Sequence, residues 1–365
     1  MIAAAVATST ARMSMGSPPC VRFSLAPRRS LQHFAVAFHQ GQWWPSRGDT
    51  AYGLEVFRKS SFYAELDQSC PAKAPTGFDG ARTLAMPDVI DTRYDIIVEE
   101  RECPRPDGSA MALRVARPKG SGPFPAAIDI HGGGWVLHDR HRNAYIDDTL
   151  AAAGIVVAAP EFRKPPEGVY PISVADNHLA IRWLKQNTAT FGSRPDLVGA
   201  IGTSSGGHQL MLCALRPDDP RYGALALPGP AFDATLRFTV ACWSVFDPLA
   251  RYRMVREKDV KHLLAAHAAY WSDEAAMAEG NPQLILERRA FTQLPPLLVI
   301  QGTKDDNLTE DMAERFVDAY RAAGGDAILE IYEDKPHAFV ILEQGAATSE
   351  DAIAKMAAFI HATAC

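Results

Sequence analysis

From residue 94 onward the chain alternates short apolar, β-branched runs with longer stretches whose apolar residues recur every three or four positions. The runs fall at 126–130, 155–159, 197–201, 238–242, 297–300 and 327–332. Near-continuous apolar runs of this length read as strands buried on both faces. Between them, Ile172, Ala175, Leu179 and Trp183 share one helical face, as do Met312, Phe316 and Tyr320 ahead of Gly324-Gly325. Upstream, 94–98 and 111–115 flank Asp107-Gly108, a strand–turn–strand pattern that is necessarily antiparallel. The prediction is an α/β fold: a mostly parallel mixed sheet of about eight strands with helices on both faces.

One segment breaks the rhythm. Residues 249–293 separate two strands by more chain than one crossover helix needs. Val260, Leu263, Leu264 and the run from Ala266 to Trp271 give it a helical reading. It is expected to form part of a small helical lid over the carboxyl ends of the strands, the simpler alternative being a plain two-helix connection. Residues 49–90 carry an aromatic, loosely helical stretch at 51–66 and a Pro/Gly-rich stretch at 71–80; they are expected to contribute to the lid. The catalytic domain is then 91–365.

Residues 1–48 differ. They hold Arg12, Arg22, Arg28, Arg29 and Arg47, many Ser and Ala, and no Asp or Glu before Asp49. Such a start is the composition of an organelle transit peptide, and Arg28-Arg29 invites a twin-arginine export reading. The apolar run at 34–38 is shorter than an export signal needs. A disordered extension on a cytoplasmic protein is the reading favoured here.

Composition narrows the classes. The 365 residues are 47% hydrophobic and 22% charged, which suits a folded chain. A net charge of −6 argues against a nucleic-acid partner, which would demand a basic stripe. No apolar run is long enough for an integral membrane span. The six cysteines show no C-x-x-C pair and no zinc spacing with histidine, so no metal is expected. Cys213 and Cys242 lie in apolar segments, as buried thiols do.

The chemistry concentrates at strand ends. Gly202-Thr203-Ser204-Ser205-Gly206 stands between the 197–201 strand and an apolar helix, the setting of a nucleophile elbow. The turn is so sharp that only glycine suits the flanking positions, and it lifts the Ser204 hydroxyl above the sheet edge at a helix N-terminus. His131-Gly132-Gly133-Gly134-Trp135 closes the 126–130 strand. A triple glycine lets main-chain N–H groups turn inward, where with the Ser205 N–H they form an oxyanion hole. Serine needs a base. His337 follows the 327–332 strand and so shares the sheet edge with Ser204. The imidazole needs an orienting acid. Asp305 is the first choice and adjacent Asp306 the alternative, both just beyond the 297–300 strand.

On these residues the chain resembles the α/β-hydrolase superfamily, and within it the hormone-sensitive-lipase-like esterases marked by HGGGW. Ser204-Ser205-Gly206-Gly207-His208 is also similar to bacterial carboxylesterases grouped with feruloyl-esterase-like hydrolases. The resemblance covers roughly residues 91–365. It implies Ser204 as nucleophile, Asp305 as acid, His337 as base, and the N–H groups of Gly133, Gly134 and Ser205 as oxyanion donors. It gives His131 a structural role. The family's usual Asp-Ser-Ala-Gly-Gly reads Thr203-Ser204-Ser205-Gly206-Gly207 here, a departure that leaves subfamily and substrate open.

The expected function is therefore a serine carboxylester hydrolase acting on a small-molecule ester, without cofactor, with a homodimer left open. The alternatives are an amidase, arylformamidase-like or peptidase-like hydrolase of the same fold, and a non-catalytic binding protein. His208 is expected to pack within its helix, and Tyr270-Trp271 to lie in core or lid.

Overall fold

The computed structural model describes residues 94–364 and the backbone of two short strands further upstream. Those two, β1 (Val36–His39) and β2 (Gln42–Pro45), pair antiparallel with Phe38 opposite Trp43. Apart from those two strands, residues 1–93, including the 49–90 segment expected to join a lid, lie outside the described residues.

The main body is an eight-stranded sheet. Its strands are β3 (Ile96–Pro104), β4 (Ala110–Pro118), β5 (Phe124–Ile130), β6 (Val156–Pro160), β7 (Ser193–Thr203), β8 (Thr239–Cys242), β9 (Leu297–Gly302) and β10 (Ala327–Tyr332). They lie in the order β3-β4-β6-β5-β7-β8-β9-β10. β4 runs antiparallel to β3 and β6; all other neighbours are parallel. β5, β6, β8 and β9 are buried at every residue, the outcome of mostly apolar side chains on both faces; Asp129, Thr239 and Gln301 are the polar exceptions.

Alternate strand residues feed two cores. Ala127, Val157, Ile201, Val240 and Leu298 face α1 (Ala144–Ala152), α9 (Phe339–Leu342) and α10 (Ala347–Ala364), meeting Ile146, Leu150, Phe339, Ile353 and Met356. Ile128, Ala158, Ala200, Ala241 and Val299 face α2 (Ile172–Asn187), α3 (Ser205–Leu215) and α8 (Met312–Ala322), meeting Val174, Leu179, Leu210 and Phe316. Between β8 and β9 come α4 (Pro248–Glu257), α5 (Lys261–Tyr270), α6 (Glu274–Glu279) and α7 (Pro282–Glu287). Asp247, Asp273 and Asn281 cap three of these, each accepting from the N–H three residues on.

This topology positions the site. β6 and β7 flank β5 on opposite sides, so the chains leaving β5 and β7 diverge to opposite faces and open a crevice at their carboxyl ends. Among the described residues, no helix is long and apolar enough to cross a membrane.

Candidate active site

Ser204 sits between β7 and α3 at φ 53°, ψ −119°, a conformation L-residues hold only under constraint. Two backbone bonds fix it: its N–H donates to the Cys242 carbonyl (2.9 Å), and its carbonyl accepts from the Val245 N–H (3.1 Å). The neighbouring glycines are required by space. A Cβ on Gly206 would stand 1.9 Å from the Ile130 carbonyl oxygen, and one on Gly207 would stand 1.8 Å from Ser244 Oγ.

The Ser204 hydroxyl lies 2.9 Å from His337 Nε2, and His337 Nδ1 lies 2.8 Å from Asp305 Oδ2. Asp305 is held on both oxygens. Gln301 Nε2 donates to Oδ2 (3.0 Å) and the Asn307 N–H to Oδ1 (2.9 Å). Burial alone would raise the Asp305 carboxyl. The hydrogen bond and charge of His337, with the Gln301 and Asn307 donors, outweigh it and hold the group below its ordinary value. Asp306 is exposed and makes no contact with His337 among the described bonds.

The glycine loop arrives from β5. A Cβ on Gly132 would touch Ser204 Cβ at 3.0 Å, so the loop runs directly beside the hydroxyl. Two of its N–H groups pin it: that of Gly132 donates to Thr203 Oγ1 (3.0 Å) and that of Trp135 to Ser205 Oγ (3.0 Å). Between them, the N–H groups of Gly133 and Gly134 have no acceptor among the described residues. Gly133 at φ 123° could carry no side chain, since its Cβ would stand 2.3 Å from the Leu137 carbonyl oxygen. Ser205 opens α3, where N–H groups lack intrahelical acceptors.

A buried polar layer supports this loop. Asn143 Nδ2 donates to both Asp129 oxygens (3.1 and 2.8 Å) and to Thr203 Oγ1 (3.2 Å). Burial pushes Asp129 up, and burial together with the Asp129 charge pushes Asp147 up. His131 stacks on Phe162 (4.4 Å) with Nδ1 on the Gly132 carbonyl, and burial pushes it down to about 4. His208 is buried, but its ring bonds outside its own helix rather than within it: Nδ1 accepts from Trp135 Nε1 (3.2 Å), and Nε2 bonds the Gly280 carbonyl (2.8 Å). Tyr270 and Trp271 are buried against Trp135. Ser205 Oγ, Thr203, Asn143, Asn307 and Gln301 all support the site. Thr203 and Ser205 stand inside the elbow motif, but their side-chain roles, like those of Asn143, Asn307 and Gln301, show only in the partners they bond.

Among the described residues no three His, Cys, Asp or Glu side chains gather as a metal site requires. Chemically, the arrangement offers an oxygen nucleophile, a base within reach, and beside them two donors without acceptors among the described residues.

A sequence model of the alpha/beta hydrolase fold matches residues 127–341. The chain is similar to the probable carboxylic ester hydrolase LipM of Mycobacterium tuberculosis, 27% identical over 67% of this chain and 56% of that protein. It is also similar to the isoprenylcysteine alpha-carbonyl methylesterase of Arabidopsis thaliana, 24% identical over 60% of this chain and 51% of that one. The chain spans about half the length of these two relatives. Among solved structures, a hyperthermophilic esterase from the archaeon Pyrobaculum calidifontis superposes with a TM-score of 0.61 at 23% identity, covering 74% of this chain and 87% of that one. A thermostable esterase from Pseudomonas putida gives 0.61 at 23%, covering 75% and 85%. At such identities the structural likeness concerns the fold.

Proposed function

We propose that this chain, which belongs to the alpha/beta hydrolase fold family, is a serine carboxylester hydrolase acting on small acyl or aryl esters. One observation carries the reading: the relay Ser204 Oγ–His337 Nε2 (2.9 Å) and His337 Nδ1–Asp305 Oδ2 (2.8 Å) beside two N–H groups without acceptors among the described residues. The carboxylic ester hydrolase and methylesterase names of its relatives support it.

The chemistry follows from the atoms. His337 Nε2 takes the Ser204 proton as Oγ attacks the ester carbonyl carbon. The carbonyl oxygen becomes negative and is received by the N–H groups of Gly133, Gly134 and Ser205; each such donor typically contributes about 10²–10³ in rate. Asp305 accepts from Nδ1–H, fixing the tautomer and stabilising the imidazolium. The intermediate collapses, the alcohol leaves with the proton from Nε2, and water repeats the sequence on the acyl-enzyme.

The test is a panel of p-nitrophenyl esters of graded acyl length beside the matching anilides, with Ser204→Ala as control. Ester turnover that exceeds anilide turnover and drops by at least about 10³ in the variant is expected. Turnover unchanged by Ser204→Ala removes the reading, and anilides cleaved as fast as esters redirect it to amides.

A further inference from the structure

We propose that Arg251 is a positioning residue for this site, holding the Asp305 loop and the glycine loop in place through Asn307 and Trp135. The proposal rests on the hydrolase reading above but draws on residues that take no part in the relay.

Arg251 lies on α4, in the insertion between β8 and β9, and is only 1% exposed. Its guanidinium reaches out of the insertion. Nε donates to the Asn307 carbonyl oxygen (3.0 Å), Nη2 donates to Asn307 Oδ1, and Nη1 donates to His267 Nε2 (3.2 Å). A planar fork on two acceptors of one residue fixes that residue's direction as well as its distance. Asn307 uses its own N–H on Asp305 Oδ1 (2.9 Å), leaving Oδ2 turned to His337 (2.8 Å). The fork therefore sets the angle at which the carboxylate meets the imidazole.

The same group reaches the other half of the site. Its carbon stands 5.5 Å from the centre of the Trp135 ring, in cation–π range. Trp135 directly follows Gly133 and Gly134, and its N–H is pinned on Ser205 Oγ. Tyr270 stacks on the same ring at 5.1 Å and 5°. One cation thus lies between the strand-end loops that supply the acid and the oxyanion donors.

Simple cementing of the insertion is a poorer account. Among the described residues no carboxylate forms an ion pair with Arg251, and a buried cation without one is a costly means of adhesion. Burial lowers the guanidinium to about 10, so it stays charged at neutral pH, and the Asp305 charge attracts it. Burial holds His267 down to about 3, leaving a neutral ring whose Nε2 can accept. A charge retained at such a place is expected to serve the neighbouring chemistry.

The test compares the full chain with Arg251→Lys and Arg251→Ala on a p-nitrophenyl ester, with thermal melts. Lysine keeps the charge but not the fork. The expected result for both variants is a kcat lower by about 10- to 100-fold, a misplacement-sized effect, with KM within about threefold. Guanidinium ion added to Arg251→Ala is expected to restore kcat several-fold. If Arg251→Ala does not fold, the Arg251→Lys split between kcat and KM decides. A kcat for Arg251→Lys within twofold of wild type, or a rise in KM with kcat unchanged, overturns the proposal. Wild-type protein that hydrolyses no ester overturns the hydrolase reading and this role together; active wild type with an unchanged variant overturns this role alone.

Discussion

Replacing Ser205 with alanine isolates one hydrogen bond that shapes the site without touching its reacting atoms. Ser205 and Trp135 are each 1% exposed, and Ser205 Oγ is the acceptor of the Trp135 N–H at 3.0 Å. Removing that acceptor leaves a buried donor unpaired, at a cost of about 1–3 kcal/mol. No large cavity forms, since only an oxygen is lost. If the penalty falls on the folded state, the melting temperature drops by about 2–4 °C per kcal/mol. The Gly133 and Gly134 N–H groups stand immediately before the released position. If the loop relaxes, the same free energy is withdrawn from the transition state, which is about 5- to 150-fold in kcat. The assay is steady-state ester hydrolysis by Ser205→Ala beside its thermal melt. The account expects both to fall, with KM changing less than kcat. A variant that melts and turns over like wild type refutes the reasoning, and with it the view that this side chain anchors the loop.

Other perturbations separate the remaining parts. Asp305→Asn should lower kcat by about 10³–10⁴ while Asp306→Asn stays within about twofold, measured on one ester. Gly206→Ala places a Cβ 1.9 Å from the Ile130 carbonyl oxygen, a backbone atom that cannot step aside. A stability loss above about 3 kcal/mol in urea, or failure to fold, is expected. Burial raises Asp129 and Asp147 above their unfolded values, so the folded state keeps protons the unfolded state releases. Their contribution is full below about pH 3.9 and is lost as pH rises through the raised values, and Asp147→Asn should flatten that fall in urea midpoints. Asp305 has the opposite sign. Its lowered carboxyl adds stability that is present above the unfolded value and lost as pH falls through the folded one, which Asp305→Asn should abolish.

The sheet was readable because its central strands are almost continuously apolar, broken only by single polar residues such as Asp129 and Thr239, a pattern that fits a doubly covered strand. The outer pair was read too short. β3 extends through Glu99–Glu102 because its ladder with β4 continues where side chains turn polar at the edge. Ser204 and His337 could be placed at one rim because each sits next to a strand end. Asp305 and Asp306 could not be separated, since adjacent residues differ only in which carboxylate turns inward, and the Gln301 and Asn307 donors decide that. The insertion was legible as helical from its apolar spacing. Its packing against Trp135 through Tyr270 was not, nor were the Arg251–Asn307 and Asn143–Asp129 pairs. Such contacts join residues far apart in sequence and leave no periodic trace.

The central claim is that the Ser204 oxygen is made nucleophilic by the imidazole beside it. The direct measurement is reaction of the folded protein with a fluorophosphonate at neutral pH, followed by peptide mass spectrometry. The account predicts a single stoichiometric adduct on Ser204 that disappears in His337→Ala and in unfolded protein. An unlabelled Ser204, or labelling that persists without His337, would contradict it.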